Sequence, residues 1–298
     1  MRITTQMLYS QFNYNLQNSM NNIFQTDEQI SSGQKLNKPS DDPAAVSSII
    51  SGKAELSSIA GFQDAITNAT LLLNSTNTAL DNLHTLIANA KQIGVNAQSA
   101  STQDMATYAS LMGNLIQSAM GIANTEVNGR YIFSGYKTDQ PAVNTTTGLY
   151  QGTTDRISAQ INTGTSVDVN IAGNELISST GALDNTTIIG AMSNLKTAIQ
   201  NNDQIAIQTS LTALNTLSAS TLNKQSDIGA RLNMIDSEKK ILAARDTDVT
   251  NSVSDKLMLS TVDIAKLTVE SQQQQTALSS LRTITNGVLN TSLFDFLK

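Results

Sequence analysis

The chain of 298 residues contains no cysteine and no tryptophan, and it has only three prolines and one histidine. The lack of cysteine excludes a disulfide framework, a thiolate nucleophile and a zinc site built on cysteine. The single histidine, His84, cannot form a multi-histidine metal centre, and its place beside a hydrophobic stripe favours a surface or interface role over catalysis. We therefore expect no enzyme activity, no cofactor and no metal.

Charge is also scarce, since 14% of the residues are charged and a typical soluble domain has about 25%. The net charge of -6 disfavours nucleic acid as a partner. No apolar run approaches the roughly 20 residues that span a bilayer, so a membrane is not expected as a partner either. The first ten residues lack the basic and apolar regions of a secretory signal, which predicts that any export occurs without a cleaved signal peptide.

A seven-residue hydrophobic repeat is the strongest positive signal in the sequence. It runs through two long stretches, Ile59, Ile66, Leu73, Leu80 and Ile87 in the first and Ile207, Leu214, Thr221, Ile228, Ile235 and Leu242 in the second. Such a repeat predicts long helices that pack against each other as antiparallel coiled coils.

The ends of the helices have their own signals. Asp42 is expected to cap the first long helix, because its carboxylate can accept hydrogen bonds from free amides, and Pro43 suits the first helical position. Gly94 and residues 99–103 predict a break. We expect the following helix to end at Asn128-Gly129, since glycine accepts the left-handed conformation that closes a helix.

The period changes from seven to two between residues 131 and 186. Apolar residues alternate with polar ones on both sides of a turn at residues 162–165, at positions 157, 159 and 161 and again at 167, 169 and 171. This pattern predicts a β-hairpin within a small β-rich insertion.

Both chain ends are amphipathic, and the residues between their apolar positions are mostly Asn, Gln, Ser and Thr. We expect these apolar positions to form an assembly interface, because the ends can pair with each other and with neighbouring copies without charge repulsion. The candidate interface residues are Tyr9, Phe12, Leu16, Ile23, Ile30, Leu257, Ile264, Leu267, Leu278, Leu281, Val288, Leu293, Phe294 and Phe296.

These patterns predict a mainly α fold, with long antiparallel coiled-coil helices, a small β-rich insertion and terminal helices that order on assembly. The expected segments are an N-terminal assembly and export segment (1–42), one half of a long helical hairpin (43–130), the β-rich outer domain (131–186), a returning long helix (187–245) and a C-terminal assembly helix (246–298).

Three segments resemble the flagellin superfamily. They are residues 1–7, MRITTQM, residues 29–44, QISSGQKLNKPSDDPA, and residues 128–135, NGRYIFSG. The segment 291–297, TSLFDFL, is similar to the ending of the hook-filament junction proteins in that superfamily, whereas flagellins usually end on a different leucine-rich sequence.

The resemblance implies a structural adaptor that joins hook-associated protein 1, at the hook end, to the flagellin filament. It also implies a secreted protein of the bacterial flagellum, exported by the flagellar type III apparatus. The implied partners are hook-associated protein 1, flagellin, neighbouring copies of the chain in a ring, an export chaperone and, transiently, the filament cap protein.

Two other functions remain open from the sequence. A short or minor flagellin would have the same architecture but would polymerise with itself. A secreted coiled-coil effector or adhesin would instead bind a ligand through residues 131–185, although the low aromatic content of 4% is unfavourable for a strong binding patch.

Overall fold

The computed structural model describes the backbone of residues 5–296 and the side chains of residue 7, residues 10–101 and residues 103–283. In that part of the chain it has six α-helices, four short strands and a 3-10 turn at Gly173–Glu175. The helices are α1 (Thr5–Ser32), α2 (Pro43–Gln98), α3 (Thr102–Ala123), α4 (Ile188–Gln200), α5 (Gln204–Leu257) and α6 (Thr261–Phe296). The strands are β1 (Glu126–Val127), β2 (Arg130–Tyr131), β3 (Ser158–Asn162) and β4 (Thr165–Asp168). The predicted mainly α fold with a small β insertion is confirmed.

Helix α2 begins at Pro43, directly after Asp42. The carboxylate oxygen Oδ1 of Asp42 accepts hydrogen bonds of 3.0 Å from the amides of Ala44 and Ala45, as an N-cap side chain does. The helix continues through Gly94, where a break was expected, and ends at Gln98. A Cβ on Gly94 would lie 2.7 Å from the side chain of Leu211, so this glycine allows a close helix approach rather than ending the helix.

Helix α3 ends at Ala123, five residues before the end expected at Asn128-Gly129. That expectation was wrong, because Asn128 (φ 52°) and Gly129 (φ 77°) form the two-residue turn that joins β1 to β2. Both a helix C-terminus and a tight hairpin turn of this kind use positive φ, so the local sequence signal fits either structure.

The returning helix differs from its expected range of 187–245. It is divided at residues 201–203, where Asn202 has a φ of 53°, into the short α4 and the long α5. Asp203 restarts the helix, since its Oδ1 accepts hydrogen bonds from the amides of Ile205 (3.1 Å) and Ala206 (3.0 Å). Helix α5 then continues to Leu257, and α6 begins only at Thr261.

The chain divides into two compact units, unit 1 (Met1–Ser58 and Ala244–Lys298) and unit 2 (Ile59–Ala243). In unit 2 the heptad positions of α2 and α5 are buried, and the two helices run antiparallel. The side-chain amide of Gln98 donates to Gln208 at 2.8 Å, and Nδ1 of His84 lies 3.4 Å from the hydroxyl of Ser218. Helix α3 packs against α4 in the same core.

The β-rich segment shares one continuous core with the helices of unit 2. β3 and β4 pair antiparallel, with Ala159 opposite Val167, and Ile161 and Val167 turn their side chains into that core. Although the segment was expected as an outer domain, its apolar face packs on the helices, because a two-stranded hairpin is too small to be stable alone.

Unit 1 contains α1, α6, the first part of α2 and the last part of α5. A Cβ on Gly52 would lie 2.5 Å from Cγ2 of Val253, so these parts of α2 and α5 also approach closely through a glycine. Arg245 forms an ion pair with Glu55 beside that contact.

Candidate assembly interface

The terminal helix α1 has one face that is partly covered. The half-buried or buried positions follow a spacing of four and three residues, Phe12, Leu16, Ser19, Ile23, Thr26 and Ile30. This spacing is that of a coiled-coil seam, in which one side of the helix faces a partner along its length.

Helix α6 supplies the partner. Its covered positions, Ile264, Leu267, Ser271, Gln274, Leu278 and Leu281, have the same alternating spacing. The Ser271 hydroxyl donates a 3.0 Å hydrogen bond to Asp27, and Lys35, just after α1, lies 3.3 Å from Asp263 near the start of α6. The two helices therefore run antiparallel, and we refer to them as the terminal pair.

The middle of this seam is polar. Thr26 is 8% exposed and Ser271 is 6% exposed, so both hydroxyls lie where a coiled coil would normally bury apolar groups. The Thr26 hydroxyl donates to Asn22 of its own helix at 2.9 Å. The apolar seam residues on either side are only half-buried, so the terminal pair leaves apolar surface accessible to water. Burial of that surface against a partner would contribute about 25 cal/mol per Å² to the free energy of association.

The outer faces of the terminal pair are also apolar in part. On α1 the side chains of Met7, Tyr14 and Phe24 are 66%, 62% and 65% exposed. On α6 Val262 and Val269, one heptad apart, are 74% and 57% exposed. Scattered exposed apolar residues are ordinary, but these positions lie on the helix sides that face away from the seam.

The structure brings most of the predicted interface residues together. Phe12, Leu16, Ile23 and Ile30 on α1 and Ile264, Leu267, Leu278 and Leu281 on α6 lie in the seam of the terminal pair. Leu257 is separate from that seam, because it ends α5 and its carbonyl oxygen accepts a 2.8 Å hydrogen bond from the Lys35 amide. The side chains of Tyr9, Val288, Leu293, Phe294 and Phe296 lie outside the described residues.

A second group of polar residues, which the sequence analysis missed, holds the β insertion on α5. Lys224, Arg231 and Glu238 are spaced by seven along one side of the helix. Arg231 donates to the carbonyl oxygens of Asp168 (2.9 Å) and Asn170 (3.4 Å). The side-chain amide of Asn162 donates to Glu238 at 2.9 Å.

Lys224, the first of these three helix residues, pairs with Glu175, which also lies 3.3 Å from Arg156. Burial raises the pKa of the Glu175 carboxyl, but hydrogen bonds and charge from Lys224 and Arg156 outweigh burial and hold the pKa below its ordinary value. The only sequence pattern that could have indicated these contacts is the spacing of seven between the charged residues beside the α5 seam. Their partners, however, lie between 49 and 76 residues away in the sequence.

The second half of the segment NGRYIFSG, residues 132–135, is part of a tight buried cluster in unit 2. The Tyr150 hydroxyl lies 2.8 Å from the carbonyl oxygens of Phe133 and Thr153, so it can donate to either. Burial raises the pKa of Tyr150 to about 12, which keeps this hydroxyl protonated. Gly173 is also required there, since its Cβ would lie 2.8 Å from the Tyr150 ring. The segment thus has a packing role in this fold.

The described side chains contain no group of three or more His, Cys, Asp or Glu that could hold a metal ion. Within the same part of the chain, no helix combines the length and apolar character that crossing a membrane requires. Two grooves in unit 1 are lined mainly by polar and charged residues.

Comparisons with known proteins agree with the helical architecture. Residues 3–138 match the family model of the bacterial flagellin N-terminal helical region. Over the full length of both proteins, the chain is 28% identical to flagellar hook-associated protein 3 of Escherichia coli K12. It is 31% identical to the protein of the same name from Salmonella typhimurium LT2, over 60% of this chain and 57% of that protein.

The fold also resembles solved structures. A Vibrio parahaemolyticus protein assigned to the flagellar hook-associated proteins superposes with a TM-score of 0.66 at 24% identity, over 73% of this chain and 100% of that one. The proteins named in these comparisons are structural components of the flagellum and do not form an enzyme family.

Proposed function

We propose that this chain is a member of the flagellin superfamily that, like the hook-associated protein 3 it resembles, joins the hook end of the bacterial flagellum to the flagellin filament. In general terms, the chain is a structural component of the flagellum that assembles with hook and filament components. The specific role of an adaptor requires a surface that forms contacts only in the assembly.

The terminal pair supports this role. Its seam is half-buried and polar at its centre, and its outer faces expose Met7, Tyr14 and Phe24 on α1 and two valines on α6. A pair of helices with this surface gains little stability alone, because few of its apolar groups leave water. Neighbouring subunits would cover the remaining apolar area, so the terminal pair gains its stability on assembly.

We assign hook-associated protein 1 as the partner on the hook side, flagellin on the filament side and copies of the same chain around a ring. The filament cap protein is a transient partner, and an export chaperone binds the amphipathic C-terminal segment. In this proposal, the flagellar type III apparatus exports the chain, residues 1–42 and 246–298 serve assembly and export, and residues 131–186 face outwards.

Deletion of the gene in its host tests the adaptor role. We expect finished hooks without filaments under the electron microscope, together with flagellin lost to the medium in an immunoblot. Filaments of normal length in the deletion strain would overturn the proposal. Complementation with the wild-type gene is the control and should restore filaments.

A minor flagellin is the second candidate, because the matched family model is that of the flagellin N-terminal region. The purified chain distinguishes the two functions. A flagellin should elongate filament seeds made of this same chain, whereas an adaptor should add to hook ends once and stop.

A further inference from the structure

Two interruptions of the helices lie side by side in unit 1. The first is the loop at residues 33–42 after α1, and the second is the three-residue connection 258–260 between α5 and α6. Gln34 and Met258 form an antiparallel bridge. The Leu259 amide donates to the Gly33 carbonyl oxygen at 2.9 Å, and the Lys35 amide donates to the Leu257 carbonyl oxygen at 2.8 Å.

This bridge changes the hydrogen bonding at the end of α5. In a continuing helix, the Asp255 carbonyl oxygen would accept from the amide four residues later, that of Leu259. Because the Leu259 amide donates to Gly33 instead, the Asp255 oxygen needs another donor. The Lys35 ammonium group supplies it, with Nζ 2.9 Å from that oxygen. A positive charge at a helix C-terminus is also favourable because it opposes the helix dipole.

The same ammonium group contacts the beginning of α6. Nζ of Lys35 lies 3.3 Å from Oδ2 of Asp263. That carboxylate oxygen accepts hydrogen bonds from the Ser260 amide (3.1 Å) and hydroxyl (2.9 Å), and the Asp263 amide in turn lies 3.1 Å from the Ser260 hydroxyl. Ser260 and Asp263 thus form a reciprocal cap on α6, and Lys35 is bound to it.

The backbone of Lys35 is fixed by α1 as well. The side-chain amide of Gln29, in the last turn of α1, donates a 2.9 Å hydrogen bond to the Lys35 carbonyl oxygen. Lys35 therefore contacts the end of α1, the end of α5 and the start of α6 at once. Nearby Lys38 differs, since among the described side chains its ammonium group contacts only Glu28, at 3.4 Å, and it is more exposed than Lys35.

We propose that Lys35 is a positioning residue that joins these three helix ends into one hinge and so fixes the direction of the terminal pair relative to the adjoining parts of α2 and α5. With Lys35 in place, α1 and α6 move together. Without its side chain, the Asp255 oxygen and the α6 cap lose a shared charged partner. The backbone hydrogen bonds of Gly33 and Leu257 remain, but the terminal pair bends more easily. The inference concerns the isolated chain and does not rest on the proposed function.

The absence of cysteine from the natural sequence allows a direct test. Cysteines introduced at Asn21 on α1 and Ser57 on α2, both exposed positions of unit 1, can carry two spin labels without competing thiols. The distribution of distances between the labels, measured by pulsed electron resonance, then reports the direction of the terminal pair. The same labelled pair is compared in four backgrounds: wild type, Lys35→Met, Lys35→Arg and Lys38→Met.

We expect a narrow distribution in the wild type and in Lys38→Met, and a distribution roughly twice as wide in Lys35→Met, because the hinge bends more easily without the shared charge. Lys35→Arg keeps a charge and donors at this site and should restore the narrow distribution. Hydrogen exchange at residues 258–264 should be roughly tenfold faster in Lys35→Met alone.

Equal widths in the wild type and in Lys35→Met would overturn the proposal, as would a broad distribution already present in the wild type. Broadening in Lys38→Met to the same extent would also overturn it, because the effect would then belong to any charge in the loop. Circular dichroism of each variant verifies that the helices of unit 2 remain folded.

Discussion

The guanidinium group of Arg231 donates a hydrogen bond of 2.9 Å to the carbonyl oxygen of Asp168, and so joins α5 to the last residue of β4. Only 12% of the Arg231 side chain is exposed, and its other nitrogen lies 2.6 Å from Asp227. A charged donor with so little exposure is costly to bury unless its partners are retained. The position of the β insertion on α5 therefore depends on this side chain.

Replacement of Arg231 by methionine should lower the free energy of unfolding of the chain by about 2 kcal/mol, since two backbone carbonyls lose a charged donor. Urea denaturation followed by circular dichroism measures this change. Lys240→Met is the matched control, because Lys240 pairs with Asp236 on the same helix but is 77% exposed. An unfolding midpoint as low for Lys240→Met as for Arg231→Met would contradict the role of Arg231.

Two glycines of α2 in unit 2 should respond differently to alanine. A Cβ on Gly94 would lie 2.7 Å from Leu211 and 3.1 Å from Leu195, whereas a Cβ on Gly61 meets nothing within 4 Å. Gly61→Ala should stabilise the helix by about 0.5–1 kcal/mol. Gly94→Ala should instead destabilise the chain by about 1–3 kcal/mol, because overpacking outweighs the same gain in helix propensity. Thermal unfolding curves of the two variants provide the comparison, and equal melting temperatures would disprove it.

The lowered pKa of Glu175 makes the stability of unit 2 depend on pH. Burial raises the pKa of the carboxyl, but Lys224 and Arg156 hold it below the ordinary value of 4.5. The unfolded carboxyl then binds a proton at a higher pH than the folded one, so protonation favours unfolding. The stabilisation is complete above pH 4.5 and is lost as the pH falls through the lowered pKa of the folded state.

Glu175→Gln should therefore flatten the fall in stability below pH 4.5, because its amide does not titrate. Urea midpoints measured from pH 7 downwards report this slope. Glu126→Gln, at an exposed glutamate of β1, is the control and should keep the wild-type slope. If the slopes of Glu175→Gln and the wild type coincide, the ion pairs of Glu175 do not contribute to acid sensitivity.

Leu267→Asp and Leu281→Asp place a carboxylate in the seam of the terminal pair. Both variants should leave unit 2 folded but abolish incorporation into the flagellum, since a charge without a partner in a coiled-coil seam is costly. Complementation of the deletion strain, followed by electron microscopy, measures incorporation. Gln103→Asp adds the same carboxylate at an exposed position of unit 2 and should incorporate normally. Normal filament growth with either seam variant would exclude the packing proposed for the terminal pair.

The heptad pattern predicted the buried core of unit 2 because a long repeat leaves few alternatives for packing. Ile66, Leu80 and Ile228 are all at most 2% exposed. The β-hairpin was also predicted, because alternating apolar residues and a turn are signals that lie within the segment itself. The division of the returning helix at residues 201–203 was not predicted, because its signal is a single capping residue, Asp203, between two stretches that both have the helical period.

The polar contacts between distant segments could not be predicted from the sequence. Lys35 bonds to Asp255, 220 residues away, and half of that contact is a backbone carbonyl that any residue type supplies. Arg231 likewise binds backbone oxygens of the β insertion. Side-chain patterns identify apolar faces well, but they carry no information about which backbone oxygen lacks a donor in the folded chain.

Residues 3–26, which include most of α1, contain no Asp, Glu, Lys, Arg or His. Dissolved salt acts on protein contacts mainly by screening charges, so it has little to act on along this stretch. We therefore expect contacts made by this part of α1 to depend little on the screening of charges by salt. A joint built on them would be less sensitive to the ionic strength around the cell than one built on ion pairs.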